Sequence, residues 1–277
     1  MNVLAYFDLH LAVMSLQLGA GLVMAITALE TLVRFRVYAT SGILSWDLGR
    51  RASNLAQRPL LRRMADFFYQ ENRFKALFAI RLGLGLGLVA SSLFAFLSAP
   101  LILIALLSSL LVIYRAGPGH DGSFQLRLII LFVLFTCSIS PQDSLAFQIG
   151  LYFLSAQLVL SYFLAGIAKL RGATWRDGSG LIGVLGTVYH GVKWAHRLLA
   201  KRPWLSQVLS WFVIAFEVLF PLVLVGQGGL VVVLLAVSTL FHLSTSFLMG
   251  LNGFFLSFVA GYPTLVYCLG QLPWADW

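Results

Sequence analysis

From Pro203 to Gly270 the chain reads PWLSQVLSWFVIAFEVLFPLVLVGQGGLVVVLLAVSTLFHLSTSFLMGLNGFFLSFVAGYPTLVYCLG, and its only acidic or basic side chain is Glu217. A helix that crosses the hydrocarbon core of a bilayer needs about 20 mostly apolar residues. This stretch has room for three, at about 206–226, 229–249 and 253–270. The same pattern continues toward the N-terminus. Residues 128–168 carry only Asp143, in the turn Ser140-Pro141-Gln142-Asp143, and give two spans. Residues 82–114 carry no charge and contain Pro100 near the middle. They read as a hairpin of two spans, the first beginning near Lys75. Arg81 is then expected in its first turns, with a stem long enough to snorkel to the interface. Residues 9–29 give one more, for eight in all.

Composition agrees with that reading. Apolar residues make up 60% of the chain, charged residues 10%, and the mean hydropathy is +0.90. A soluble domain averages about 25% charged residues. These values exclude a disordered chain, an ordinary cytosolic enzyme and a nucleic-acid-binding domain. The fold class is therefore all-α: a polytopic membrane bundle, read as one domain over residues 1–277 with interfacial amphipathic helices.

The net charge of +9 is a topology signal rather than a nucleic-acid footprint. Residues 34–81 hold ten Lys and Arg, 115–127 hold two and 169–202 hold seven, which accounts for all 19. Two expected spans separate each block from the next, so the three blocks share a side. The positive-inside rule makes that side cytoplasmic and turns both termini outward. The basic faces also attract anionic lipid heads. The first span has no Lys or Arg before it and reads as a retained helix, not a signal peptide. Cys137 and Cys268 stand alone in apolar segments, which disfavours disulfide, zinc and iron–sulfur sites.

Two segments outside the spans look amphipathic. Pro59 suits the first turn of a helix that carries Leu60, Leu61, Met64, Phe67 and Phe68. In residues 190–204, Lys193, Arg197 and Lys201 form a basic stripe, leaving Trp194, Leu198 and Leu205 to face lipid. Gly83, Gly85 and Gly87 alternate within the second span and suggest close helix packing. The loop Gly117-Pro118-Gly119-His120-Asp121-Gly122 reads as a tight turn.

Chemistry points to residues 160–178, LSYFLAGIAKLRGATWRDG. A long apolar helix ends at Lys169, and Ala165, Gly166 and Ala168 leave space beside it. An amine at the edge of an apolar pocket loses its proton more easily and can serve as a general base. The plainer reading is a snorkelling lysine at a helix C-terminus. Trp175 reads as an interfacial anchor, and Asp177 as a partner for an arginine, the start of a helix or a support for Lys169. Glu217 is a carboxylate at membrane depth, which usually faces a cavity or a partner. Pro221 frees the Glu217 carbonyl and makes the helix irregular there. His242 lies beside Ser244, Thr245 and Ser246, a polar run that suggests a cavity. Asn252 belongs to the turn before the last span.

These residues also carry a family resemblance. Tyr162-Phe163-x-Ala165-Gly166-x-x-Lys169-Leu170, followed by Trp175 and Gly178, resembles the signature of the HTTM membrane domain, shared with the vitamin K-dependent gamma-carboxylases. Glu217-x-x-Phe220-Pro221, Phe241-His242 and the stretch from Gly250 to Phe255 resemble its later blocks, in the same order, across about residues 145–262. The resemblance implies a pocket for a reduced quinone-like lipid. It makes Lys169 the candidate base, with His242 and Glu217 as further catalytic candidates, and puts Tyr162, Gly166, Trp175 and Asp177 around the cofactor. No metal is implied. The carboxylases continue into a large non-membrane region, whereas this sequence reaches Trp277 just after its last span, so protein carboxylation is not expected. The leading expectation is a bacterial cytoplasmic-membrane protein with quinone-linked chemistry. The alternatives are a non-catalytic accessory to a secreted peptide or partner protein, and a transporter.

Overall fold

A computed structural model describes residues 8–52, 59–116, 122–187, 191–226 and 228–272. Among the described residues every regular element is helical. They are α1 (Leu9–Val33), α2 (Trp46–Ala52), α3 (Pro59–Phe68), α4 (Glu71–Leu93), α5 (Ala99–Ala116), α6 (Gly122–Ile139) and α7 (Leu145–Arg171). After these come α8 (Ala173–Arg176), α9 (Ser179–Leu185), α10 (Lys193–Lys201), α11 (Pro203–Leu219), α12 (Gly228–Met249) and α13 (Asn252–Gly270). Among the described residues seven helices are long and apolar enough to cross a membrane: α1, α4, α6, α7, α11 with the 3-10 turn that extends it to Leu224, α12 and α13. The eighth expected span, α5, is a shorter apolar helix. The chain is a polytopic helical membrane bundle.

The helix ends follow local chemistry. Pro100 stands in the first turn of α5, where its missing N–H breaks no helical bond. The turn after Ile139 is closed by Ser144, whose hydroxyl donates to the Pro141 carbonyl at 2.6 Å. Pro221 has the effect expected from the sequence. The α-helical pattern of α11 stops at Leu219, and Phe220–Leu224 tightens into a 3-10 turn.

Contacts group the chain into two compact units, one of Met14–Phe147 and one of Met1–Val13 with Gln148–Trp277. In the first, α1 and α4 touch backbone to backbone. A Cβ on Gly21 would lie 2.8 Å from the Gly85 carbonyl oxygen, and one on Gly85 would lie 2.6 Å from the Ala25 nitrogen. Of the three alternating glycines, only Gly85 serves this approach. A Cβ on Gly83 would meet nothing within 4 Å, and one on Gly87 would make ordinary contact with Leu101. Gln17, fully buried, ties the pair further by donating to the Leu88 carbonyl at 3.3 Å and the Phe96 carbonyl at 3.1 Å.

One expectation fails in this unit. α4 begins at Glu71, so Arg81 lies near the middle of the 23-residue helix, not in its first turns. It does not snorkel. It is 4% exposed and donates to Ser108 Oγ at 2.9 Å and Ser109 Oγ at 3.0 Å on α5.

The segment between α1 and α4 packs more than its polarity suggests. Phe35, Tyr69, Phe74 and Phe78 form a buried aromatic cluster, and the Arg115 guanidinium lies 3.7 Å from the Phe74 ring centroid. Burial pushes the Tyr69 phenol up to about 12. Leu60, Leu61, Met64 and Phe67 of α3 remain exposed, as an interfacial helix requires.

In the other unit α10 is shorter than the expected 190–204. Trp194 and Leu198 are exposed as anticipated, whereas Leu205 packs against Leu185, Ala195 and Leu199. His190, and the expected turn over 117–121 with His120 and Asp121, lie outside the described residues.

Candidate functional site

The residues picked from the sequence converge within the unit that contains α7, α11, α12 and α13. Tyr162, Gly166 and Lys169 recur at the i, i+4, i+7 spacing and share one stripe of α7. Tyr162 and Gly166 are buried, and Lys169 is partly so.

Gly166 faces the backbone of α11. A Cβ there would stand 2.7 Å from the Val218 nitrogen and 2.9 Å from the Glu217 carbonyl carbon. The space at Gly166 itself is therefore filled by the neighbouring backbone. That close approach brings Glu217 level with Lys169. The amine donates to both carboxylate oxygens, Oε1 at 2.8 Å and Oε2 at 2.7 Å. The Glu217 side chain is 3% exposed and that of Lys169 is 18% exposed. A lone charge at this depth is very costly, and each partner offsets the other.

Trp175 completes the surroundings of the amine, which lies 5.3 Å from its ring centroid, within cation–π range. Gly178 makes this turn compact. It adopts φ +82°, and a Cβ would lie 2.5 Å from the Gln207 nitrogen of α11. Ser206 donates to the Gly178 carbonyl at 2.7 Å, and Trp211 Nε1 to the Arg176 carbonyl at 3.1 Å. Asp177 does not support Lys169. It is exposed and accepts the Ser179 amide at 2.8 Å, and the Ser179 hydroxyl and amide hold its carboxyl below the usual range.

A second constellation lies on the same face of α7. His242 Nε2 is 2.7 Å from Tyr162 Oη, which is 2.6 Å from Tyr262 Oη. Aromatic rings enclose this chain of three groups. The imidazole stacks on Phe258 with centroids 4.3 Å apart, and Tyr162 packs on Phe220 at 4.0 Å. His242 Nδ1 is buried without a hydrogen-bond partner. The Tyr–Tyr–His arrangement can relay a proton, since each hydroxyl both donates and accepts. In the polar run beside His242, Ser244 and Thr245 donate to helix carbonyls at 2.7 and 2.9 Å, and Ser246 to Asn252 Oδ1 at 2.5 Å.

Sequence reasoning missed Tyr262 and Phe258 as participants, and it quoted Phe220 only within a resemblance block. Only Tyr262 carried a signal, as a polar tip within an apolar span beside Pro263. A cavity of about 610 Å³ lies along α7 and α13, lined by Tyr152, Ala156, Leu160, Phe163, Pro221 and Leu269 among others. Lys169, Glu217, Tyr162 and His242 do not line it. Among the described residues no cluster of side chains suits a metal ion.

Tyr162→Phe is expected to lower stability by about 1–3 kcal/mol, because it strips His242 Nε2 and Tyr262 Oη of a partner at once. Tyr262→Phe removes only the end of the chain and should cost less. Thermal unfolding in detergent compares the two, and equal losses would mean that Tyr162 does not link the other two groups. No protein-family model, curated protein or solved structure matches this chain.

Proposed function

We propose that this membrane bundle binds an isoprenoid-type lipid, a reduced quinone, and that Lys169 with Glu217 exchanges protons with it. The carrying observation is the direct contact of an amine and a carboxylate at membrane depth, 2.7 and 2.8 Å apart. Such a pair holds one proton that can sit on either partner without changing the net charge. When Glu217 takes it, Lys169 is a neutral amine and a competent base. Trp175 stays over the cation that forms when the amine is protonated.

The apolar cavity along α7 and α13, with walls of Leu160, Phe163, Leu224 and Leu269, suits the isoprenoid chain alone. Lys169 and Glu217 do not line it, so the ring of the quinone must lie beyond it, toward the C-terminal end of α7. A reduced quinone, when bound, supplies an acidic hydroxyl and a pair of electrons. The ordered HTTM-like blocks at Lys169, Glu217 and His242 support the same reading. The topology that goes with this reading has the basic loops cytoplasmic and both termini outward, in a bacterial membrane; the clustering of all 19 Lys and Arg in three blocks supports the orientation.

Lipid extraction tests the binding. Protein purified in mild detergent should yield isoprenoid quinone at near one molecule per chain by mass spectrometry. Ala156→Trp, which fills the cavity from an exposed position, should lower that yield at least about tenfold. Wild-type protein that carries no quinone, or an unchanged yield in the variant, would overturn the assignment.

A further inference from the structure

The two large basic blocks differ in what faces their cations. Between Arg34 and Arg81 the chain also supplies Asp47, Asp66 and Glu71. Asp66 lies 3.0 Å from Arg50 and 4.0 Å from Arg62. From Gly178 to Phe216 there is no Asp or Glu, yet Lys193, Arg197, Lys201 and Arg202 fall in that stretch. All four are exposed, and among the described residues no salt bridge engages any of them.

α10 sorts its side chains into three strips. Ala195 and Leu199 are buried with Leu185, and Leu205 packs against them, which fixes the helix to α9 and α11. Trp194 and Leu198 form the second strip and are 61% and 39% exposed. Lys193, Arg197 and Lys201 recur every fourth residue and make the third, beside the exposed apolar strip and about 12 Å long. The Arg197 Nε donates to the Lys193 carbonyl at 3.2 Å, which keeps that side chain along the stripe. Two residues after Lys201, Pro203 begins α11, so α10 lies at the level where the chain enters the bilayer. Trp204, in the first turn of α11, is exposed as an interfacial aromatic is.

We propose that α10 is a docking site for anionic phospholipid. The phosphodiester sits along Lys193, Arg197 and Lys201, and the acyl chains lie against Trp194, Leu198 and Trp204. A lipid matches both strips at once, whereas a soluble polyanion matches only the cations. A zwitterionic headgroup brings its own ammonium and leaves the stripe uncompensated. Each cation at such a surface favours an anionic lipid roughly fivefold, so three on one stripe favour it on the order of a hundredfold. The first basic block, with carboxylates of its own, attracts such lipids less. Lipid held by the folded α9–α10–α11 corner stabilises it by mass action. The proposal is independent of the quinone reading.

The test uses the full chain in mixed micelles of nonionic detergent with phosphatidylglycerol or, at the same mole fraction, phosphatidylcholine. Wild-type protein should melt at least about 3 °C higher with phosphatidylglycerol. Lys193→Gln/Arg197→Gln/Lys201→Gln, all at exposed positions, should lose at least about two-thirds of that gain. Arg34→Gln/Arg51→Gln/Arg63→Gln removes the same charge from the first block and should keep most of it. A second readout is local. The part of the fluorescence that Trp194→Phe removes should be quenched at least about twice as strongly by brominated phosphatidylglycerol as by brominated phosphatidylcholine. In the α10 triple variant the two should quench alike. Equal melting in the two lipids, or equal loss of the gain in both triple variants, would mean diffuse attraction to net charge and overturn the site. So would Trp194 quenching that ignores the headgroup. A gain reproduced by soluble glycerol phosphate would assign the cations to a free anion and overturn lipid docking.

Discussion

Lys169→Met should lower the free energy of unfolding by about 3–5 kcal/mol, the cost of stranding one member of a buried pair. Glu217 lies inside α11 with 3% of its side chain exposed, and no other cation is within salt-bridge distance of it among the described residues. Its charge has nowhere to go. Glu217→Leu should cost less. Lys169 stands in the last turn of α7, is 18% exposed, and has a flexible stem that can carry the amine outward. The double variant Lys169→Met/Glu217→Leu buries no charge and should recover most of the loss, because an apolar pair of similar volume often replaces a buried ion pair at little cost. Unfolding in mixed micelles, followed for all four proteins, gives the coupling directly. Additive losses would mean that the two charges do not depend on each other. The double variant also separates scaffold from chemistry: it should stay folded and retain bound lipid while losing any proton exchange that the pair performs.

Much of this architecture was legible because the bilayer constrains it so tightly. Apolar runs between polar turns give the spans, and a proline such as Pro221 marks the place where the helix changes pitch. Intramembrane Glu217 and His242 stood out for the same reason, since polar groups are rare there. What the sequence could not supply was the pairing. Lys169 and Glu217 are separated by 48 residues, and no periodicity connects positions on different helices. The link between them depends on Gly166, which looks from sequence like empty space and is filled by a neighbouring backbone. Arg81 misled for a different reason. Placing the helix start near Lys75 instead of Glu71 put the arginine within reach of the interface. The observed start, with the Thr40 backbone N–H donating to Glu71 Oε2 at 2.7 Å, carries it to mid-helix. Tyr262 shows the limit from the other side. A polar tip in an apolar span shows that a partner is needed but not which one, and the partner is Tyr162 of α7, 2.6 Å away.

Gly166→Ala should cost about 1–3 kcal/mol, as overpacking a tight contact does. The added methyl has no flexible side chain to push aside. It meets the Val218 nitrogen at 2.7 Å and the Glu217 carbonyl carbon and Cβ at 2.9 Å. α7 and α11 must therefore move apart at the level of the ion pair, and the bidentate contact one turn further along α7 should lengthen. Gly83→Ala is the control. That glycine sits exposed on α4, where a Cβ would meet nothing within 4 Å, so alanine should leave stability unchanged or raise it by up to about 1 kcal/mol through helix propensity. The informative measurement is Gly166→Ala in two backgrounds. If the glycine seats the pair, it should destabilise wild-type protein by about 1 kcal/mol more than it destabilises Lys169→Met/Glu217→Leu, where there is no ion pair left to stretch. The same loss in both backgrounds would reduce Gly166 to a packing residue, and the registration of amine and carboxylate would then need another cause.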